Sequence, residues 1–450
     1  GGRRVPLRQD NRLAIGRSTL LAVLQRHAAA AGVEVHFDSR VDVDDLDADL
    51  VVAADGVSSA TRERHAAALG TRVVTEEGYY LWCGTEVALP SAVFSPVRTD
   101  AGTFVTHAYP YAADRSTFLI ETDEETWRRA GFDVTTADTT ADRSDETALT
   151  YLSEAFRDEL HGHRLIGNRT RWTQFRTITC ERWHLGNLVL LGDAAHTAHY
   201  SIGSGTKLAM EDAITLDQVL AESEGLEQAL TRYEAERRPA VEHLQQTAIR
   251  SMRWWNTFPH RLDLPVEQLF VSYMTRAGKV SLERFVETSP EVARAGLAAY
   301  AGEDPPADLG SPADWVVSRP FRVGAWSTPS RLLGAGDPVE VVDAPLSADP
   351  RPGSLRLLAT ETVVDGPWGP AADELVADVR KALEADCGGV LVICRDDLDD
   401  VLTMLETAER LRAETDGVVA VRSDVRWRDH LVAALASGRA DLIDLVERGA

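Results

Sequence analysis

The sequence predicts a mixed α/β (α+β) fold in which a β-rich segment interrupts one α/β domain. Three observations predict it. Leu188, Val189, Leu190 and Leu191 form an apolar run that stops at Gly192-Asp193, as a buried strand ending in a loop does. Gly203, Ser204 and Gly205 then open an amphipathic stretch that starts near Thr206 and has helical spacing. Between Glu76 and Trp172 the pattern becomes β-rich and aromatic, which reads as half-buried strands.

Taken in order, Arg17 to Ala31 places apolar residues at helical spacing and ends at Gly32, a C-cap residue type. Val33 to Phe37 alternates like a short strand, and Asp49 to Ala54 reads as a second strand stopping at Asp55-Gly56. Further strands are expected near Tyr79 to Val87, Phe104 to Tyr109 and Ser116 to Thr122. A helix over 206–222 should bury Leu208, Ile214, Leu216 and Val219. The next helix, Leu226 to Met252, contains Pro239, which predicts a kink or restart because proline removes a backbone donor. Beyond Pro320 the chain becomes acidic and loop-rich.

At 450 residues and a net charge of −24, the chain has room for two or three domains and is no general nucleic-acid binder. No apolar window reaches the length of a membrane span, and GGRRVPLRQDNRL lacks the apolar core of a secretory signal. Cys83, Cys180, Cys387 and Cys394 are scattered, matching neither a disulfide framework nor a zinc spacing, so a reducing cytoplasm is the expected setting. His196 and His199 lie in a predicted loop with no third ligand, so no metal site is expected.

A strand tip bearing a lone carboxylate, Asp193, beside a glycine-padded helix start suits a large polar cofactor. The carboxylate can accept from a sugar hydroxyl, and free N–H groups at the helix end favour an electron-rich face. The run LVLLGDAAHTAHYSIGSGTKLAMEDA resembles the second flavin motif of single-component FAD-dependent aromatic hydroxylases, the p-hydroxybenzoate hydroxylase-like fold. DGVSSATR, Asp55 to Arg62, resembles that family's DG-x-x-S-x-x-R signature, which serves both FAD and NAD(P)H. The resemblance assigns cofactor contacts to Arg17, Asp55, Gly56, Arg62, Gly192, Asp193, Gly203, Ser204, Gly205, Thr206 and Lys207. Asp193 would hold the ribityl chain, and Ser204 to Lys207 would face the flavin pyrimidine edge. Arg62 would grip a carboxylate or pyrophosphate bidentately.

The family opens with a strand, a G-x-G-x-x-G turn, a helix and an acidic residue on the next strand. These 450 residues contain no such unit, and the opening GGRR is not that fingerprint. Two explanations stand: a piece of a longer protein, which is favoured, or a variant that has lost ordinary FAD retention. Either implies weak FAD binding by this chain alone and an exposed sheet edge.

HAYPYAADRSTFLIE and HYSIGSGTK resemble the aryl-CoA branch of the family, salicylyl-CoA 5-hydroxylase and 2-aminobenzoyl-CoA monooxygenase/reductase. Many other members carry proline at Tyr200, and glutamine and asparagine at Ser204 and Lys207. At most two or three of Tyr80, Trp82, Phe104, His107, Tyr109, Tyr111, Phe118 and Phe175 should reach the substrate, the rest packing as cross-strand core. WSTPSRLLGAGDPVEVVDAP, GSLRLLATETVV and LRAETDGVVAVRSDVRWRDHLVAALASGRADLIDLV resemble parts of an old-yellow-enzyme-type FMN barrel. The segment is far shorter than the roughly 250 residues of a (β/α)8 barrel, and Ala420 to Val425 lacks the glycine of that family's phosphate cradle. A small α/β remnant without redox activity is therefore expected.

The implied domains are an FAD-binding domain in two parts, 1–75 and 179–260, around a substrate-binding sheet at 76–178. A helical connector at 261–320 and a degenerate barrel-like module at 321–450 follow. The implied activity is hydroxylation of salicylyl-CoA or 2-aminobenzoyl-CoA with FAD, NAD(P)H and O2. No side chain is needed as a nucleophile, no catalytic residue is assigned, and His199 is a further candidate substrate contact. A free or carrier-bound aromatic acid is the alternative substrate, and a non-catalytic remnant the alternative class. No nucleic-acid or membrane partner is implied, and oligomerisation is left open.

Overall fold

A computed structural model describes residues 5–6, 15–343 and 351–447. The opening Gly-Gly-Arg-Arg, discounted above as a dinucleotide fingerprint, lies outside them. The chain forms two compact units, Asn11–Pro259 and a second made of Gly1–Asp10 with His260–Ala450.

In the first unit, α1 (Arg17–Ala30) forms where the spacing placed it and stops before Gly32, whose φ is +80°. The strand expected at Val33 to Phe37 does not form: these residues are exposed coil. A strand needs a hydrogen-bonded neighbour, and alternation alone supplies none. β1 (Val51–Ala53) forms from the second expected strand, followed by α2 (Ala60–Arg64) and α3 (Ala66–Leu69).

The β-rich segment contributes β2 (Thr71–Thr85), β3 (Val93–Thr99), β4 (Gly102–Ala112), β5 (Arg115–Thr122), β6 (Leu165–Ile166) and β7 (Thr173–Cys180). They pair in the order β3-β4-β5-β2-β6, with β7 also on β2. Antiparallel register puts directly opposed residues on one face. Leu81 opposes Ile120 and Cys83 opposes Phe118. With Phe104, these build a buried core against α4 (Glu124–Arg129), α5 (Phe132–Asp138) and α6 (Glu146–Ala155). Phe104 and Phe118 are thus core residues. The other face carries Tyr80 opposite Glu121, Trp82 opposite Leu119, and His107 opposite both Leu119 and Phe94.

β8 (His184–Leu185) and β9 (Leu188–Leu190) return the chain to β1, giving the order β1-β9-β8 with β9 parallel to β1. Among the described residues β1 pairs with β9 alone, so one edge is open. α7 (Gly205–Glu222) buries Leu208, Asp212, Leu216 and Val219, whereas Ile214 is 57% exposed, against expectation. The 100° step per residue carries Ile214 off the 208–212–216–219 stripe. α8 (Leu226–Asn256) runs through Pro239 without a restart.

The second unit opens with α9 (Val266–Thr275), α10 (Leu282–Thr288), α11 (Pro290–Ala301) and α12 (Pro312–Val317). A hairpin of β10 (Phe321–Val323) and β11 (Trp326–Thr328) precedes a parallel sheet. That sheet joins β12 (Val339–Val342), β13 (Leu355–Thr360), β14 (Gly389–Ile393), β15 (Val418–Asp424) and β16 (Leu442–Val446) in sequence order. α13 (Pro370–Glu384), α14 (Leu398–Glu414) and α15 (Arg428–Ala436) connect its last four strands. The barrel expectation reaches no further than this sequential parallel sheet. Buried Arg439 donates to Ser437 Oγ at 2.9 Å and Thr275 Oγ1 at 3.5 Å.

Candidate cofactor and substrate site

Both predicted motifs meet at the ends of β1 and β9. Asp55 accepts from the Thr61 amide at 3.3 Å and the Thr61 hydroxyl at 3.2 Å, which shapes the turn after β1. Gly56 has φ +81°, a backbone region that favours glycine. Arg62 is 2% exposed and departs from expectation. Its guanidinium donates to the main-chain oxygens of Val57 (2.8 Å), Ala194 (3.1 Å) and Asp193 (3.4 Å). It therefore staples the first motif to the second instead of gripping a carboxylate. Buried carbonyls need donors, and a five-donor fork suits several at once.

The second motif is braced from beneath by a residue that the sequence reading did not single out. Asp212, fully buried, accepts from the Gly192 amide (3.1 Å), pairs with His196 Nε2 (2.7 Å) and accepts from Arg237 Nε (2.8 Å). These partners hold its carboxyl below the ordinary value although burial pushes it up. Its signal was available: an acid on the apolar stripe of α7 must be paired if buried. Arg237 also meets Glu211 at 3.3 Å, and Arg238 pairs with Glu234 and Glu242. His196 lies against Trp183, ring centroids 4.9 Å apart.

Asp193 contrasts with Asp212. Its side chain is exposed and has no hydrogen-bond or ion-pair partner among the described residues. Partial burial still raises its carboxyl above the ordinary value, with His196 and Arg17 pulling it back. Arg17, exposed at the start of α1, thus sits within electrostatic reach of Asp193. A side chain added at Gly205 would come 4.0 Å from Asp193 Oδ1, so carboxylate and helix start adjoin. No side chain caps α7; Ser204 Oγ is buried without a partner, and Gly203 (φ +64°) has open space where a Cβ would stand. Lys207 turns to Glu211 at 2.6 Å, leaving its backbone N–H and that of Thr206 as their contributions to the helix end.

An unpartnered carboxylate, an uncapped 18-residue helix and an orphaned hydroxyl fit the polyhydroxyl chain and the electron-rich carbonyl edge of a flavin. Asp193 would take the sugar hydroxyls, and the first turn of α7 the ring edge.

Beside this helix start lies an aromatic wall. Tyr200 meets Tyr80, Trp82 and Phe175 at centroid distances of 4.9, 5.7 and 6.0 Å. His199 contacts Tyr200 at 4.0 Å and Phe175 at 4.9 Å, and burial pushes its imidazole down to about 3. Tyr200 donates to Glu121 Oε1 at 2.6 Å. Burial pushes the Glu121 carboxyl up to about 7, with that bond pulling it down. Farther along the same sheet face, Trp255 of α8 stacks with Phe94 (5.2 Å) and His107 (5.8 Å). Sequence reasoning missed Glu121: an acid one step beyond the apolar Phe118-Leu119-Ile120 is visible in the sequence, but that Tyr80 lies opposite it is set by the strand register.

Residues 8–248 match the FAD binding domain family. The chain belongs to the FAD-dependent monooxygenases. It is 35% identical over 445 residues to salicyloyl-CoA 5-hydroxylase from a Streptomyces species, covering 96% of this chain and 81% of that protein. It is 43% identical over 268 residues to the 3-hydroxy-4-methyl-anthranilyl-(aryl-carrier protein) 5-monooxygenase of Streptosporangium sibiricum, covering 60% and 69%. A solved 2-methyl-3-hydroxypyridine-5-carboxylic acid oxygenase aligns at TM-score 0.41 and 19% identity, covering 62% and 71%. The cofactors of this flavoprotein family are FAD and NAD(P)H. No helix among the described residues is long and apolar enough to cross a membrane.

Proposed function

We propose that the protein hydroxylates the ring of an aromatic acyl-CoA thioester, salicylyl-CoA or 2-aminobenzoyl-CoA, using FAD, NAD(P)H and O2. The observation that carries this is the extent of similarity to salicyloyl-CoA 5-hydroxylase, 96% of the chain. It continues through the second unit, past the end of the FAD-domain match at residue 248. The alternative, a carrier-bound aromatic acid, is supported by higher identity over a shorter span.

Bound FAD supplies the activation of O2 for insertion of one oxygen atom into the ring. The chain's own residues supply position and exclusion. Asp193 and the α7 start hold the cofactor, with Arg17, Asp55, Gly56, Arg62, Gly192 and Gly203 shaping its surround. The sheet of 71–180 offers Tyr80 and Trp82 as ring contacts, with Phe175, His199 and Tyr200 closing the wall against water. His199 is neutral at working pH and serves as packing beside the substrate.

The test is NAD(P)H oxidation with FAD and O2 in the presence of salicylyl-CoA, 2-aminobenzoyl-CoA, their carrier-bound forms and the free acids. Stimulation and hydroxylated product with the CoA thioesters support the reading. Stimulation by free acids without response to thioesters removes it.

A further inference from the structure

Glu121 is the buried ionisable group on the sheet face that neither cofactor binding nor the fold accounts for. It stands on β5 with Tyr80 of β2 on one side and Val105 of β4 on the other, and keeps 9% of its surface open. One oxygen is occupied by the Tyr200 hydroxyl at 2.6 Å. The second has no hydrogen-bond partner among the described residues, so the carboxyl retains a free acceptor beside an aromatic wall. Tyr80 and Trp82 flank that wall, and Trp82 is 40% exposed. A structural carboxylate in an apolar sheet would satisfy both oxygens or be replaced by an apolar residue. This one is anchored through one oxygen and left free at the other.

We propose that Glu121, anchored by Tyr200, is the specificity-determining residue that accepts a hydrogen bond from an amino or hydroxyl substituent on the aromatic substrate's ring. The inference rests on the aromatic-substrate reading above and deepens it, since it says which ring chemistry is selected. A ring without an N–H or O–H leaves the carboxyl buried and unpaired when it covers the site. Sites built on a buried polar group reject ligands lacking the complementary group far more strongly than apolar pockets reject size changes. Tyr200 is a positioning residue here: it fixes which oxygen faces the ring. It also ties the sensor to the turn leading into Gly203 and Ser204, so recognition and cofactor contacts belong to one connected segment.

The experiment measures binding, not turnover. The full chain is titrated with 2-aminobenzoyl-CoA, 2-hydroxybenzoyl-CoA and 2-methylbenzoyl-CoA, the last matching the others in size but lacking a donor, and with the three free acids. Binding is followed by calorimetry. The wild-type protein should prefer the donor-bearing rings by about tenfold or more, the cost of leaving a buried polar group unpaired. Glu121→Gln and Tyr200→Phe should each reduce that ratio to below about threefold, with circular dichroism confirming the fold. A ratio unchanged in either folded variant, or no donor preference in the wild type, overturns the inference and leaves the substrate reading intact. Donor preference among free acids alone supports the inference and removes the thioester assignment. No binding by any of the six probes overturns the substrate reading and the inference with it.

Discussion

Two aspartates nineteen positions apart, Asp193 and Asp212, differ in their partners: on the proposed reading the first holds a ligand, whereas the second holds the protein. The Asp193 side chain makes no hydrogen bond or ion pair among the described residues, so Asp193→Ala should leave thermal unfolding nearly unchanged. FAD affinity should fall about tenfold to a hundredfold, read by quenching of flavin fluorescence; unchanged affinity would remove its cofactor role. Asp212 binds three partners while fully buried. Asp212→Ala leaves Arg237 with Glu211 alone and the Gly192 amide without its acceptor, and should cost about 3 kcal/mol in urea unfolding. Two further residues give opposite pH signatures. The folded Glu121 keeps its proton up to about 7 against an ordinary 4.5. The unfolded chain therefore loses that proton first, and stability declines as pH rises through this window. His199 drops from an ordinary 6.5 to about 3; there the unfolded chain gains the proton first, and stability is lost as pH falls through that range. Glu121→Gln should flatten the first slope and His199→Phe the second, in denaturant midpoints measured across both windows.

At the scale of elements, the sequence was legible wherever a pattern had a nearby cause. The 188–190 strand, the Gly205 helix start and the β4 and β5 strands followed from apolar runs and glycine punctuation. What failed depended on partners distant in sequence. Val33 to Phe37 alternates correctly and still forms no strand, because alternation specifies a face and not a neighbour. Arg62 looked like an anion grip because guanidinium forks suit phosphates, yet they suit clustered carbonyls equally. Glu121 was hidden because its role depends on which strand lies opposite. In the parallel sheet of the second unit, a Cβ at Gly389 would stand 2.0 Å from the Val418 carbonyl oxygen. Gly389→Ala must therefore push β14 from β15 and should cost about 1–3 kcal/mol or more. An unchanged urea midpoint would contradict the register of those strands.

For the whole molecule, charge sets how a substrate arrives. A net charge of −24 repels a polyphosphorylated thioester at long range, and salt shortens that reach to about 8 Å at physiological ionic strength. Association of a CoA thioester should therefore speed up as salt is raised from low values, whereas an uncharged N-acetylcysteamine thioester should show little change. Stopped-flow mixing at several ionic strengths distinguishes the two. A CoA rate that falls with salt would instead reveal a local cationic approach path.

The Arg62 staple has a consequence for biosynthesis. Its acceptors at Asp193 and Ala194 lie 131 and 132 positions downstream, so during translation the cradle stays unfinished until most of the first unit has left the ribosome. If this cradle holds the flavin as proposed, flavin capture would be deferred to a late checkpoint, and chains that stall or misfold inside the intervening sheet should emerge colourless.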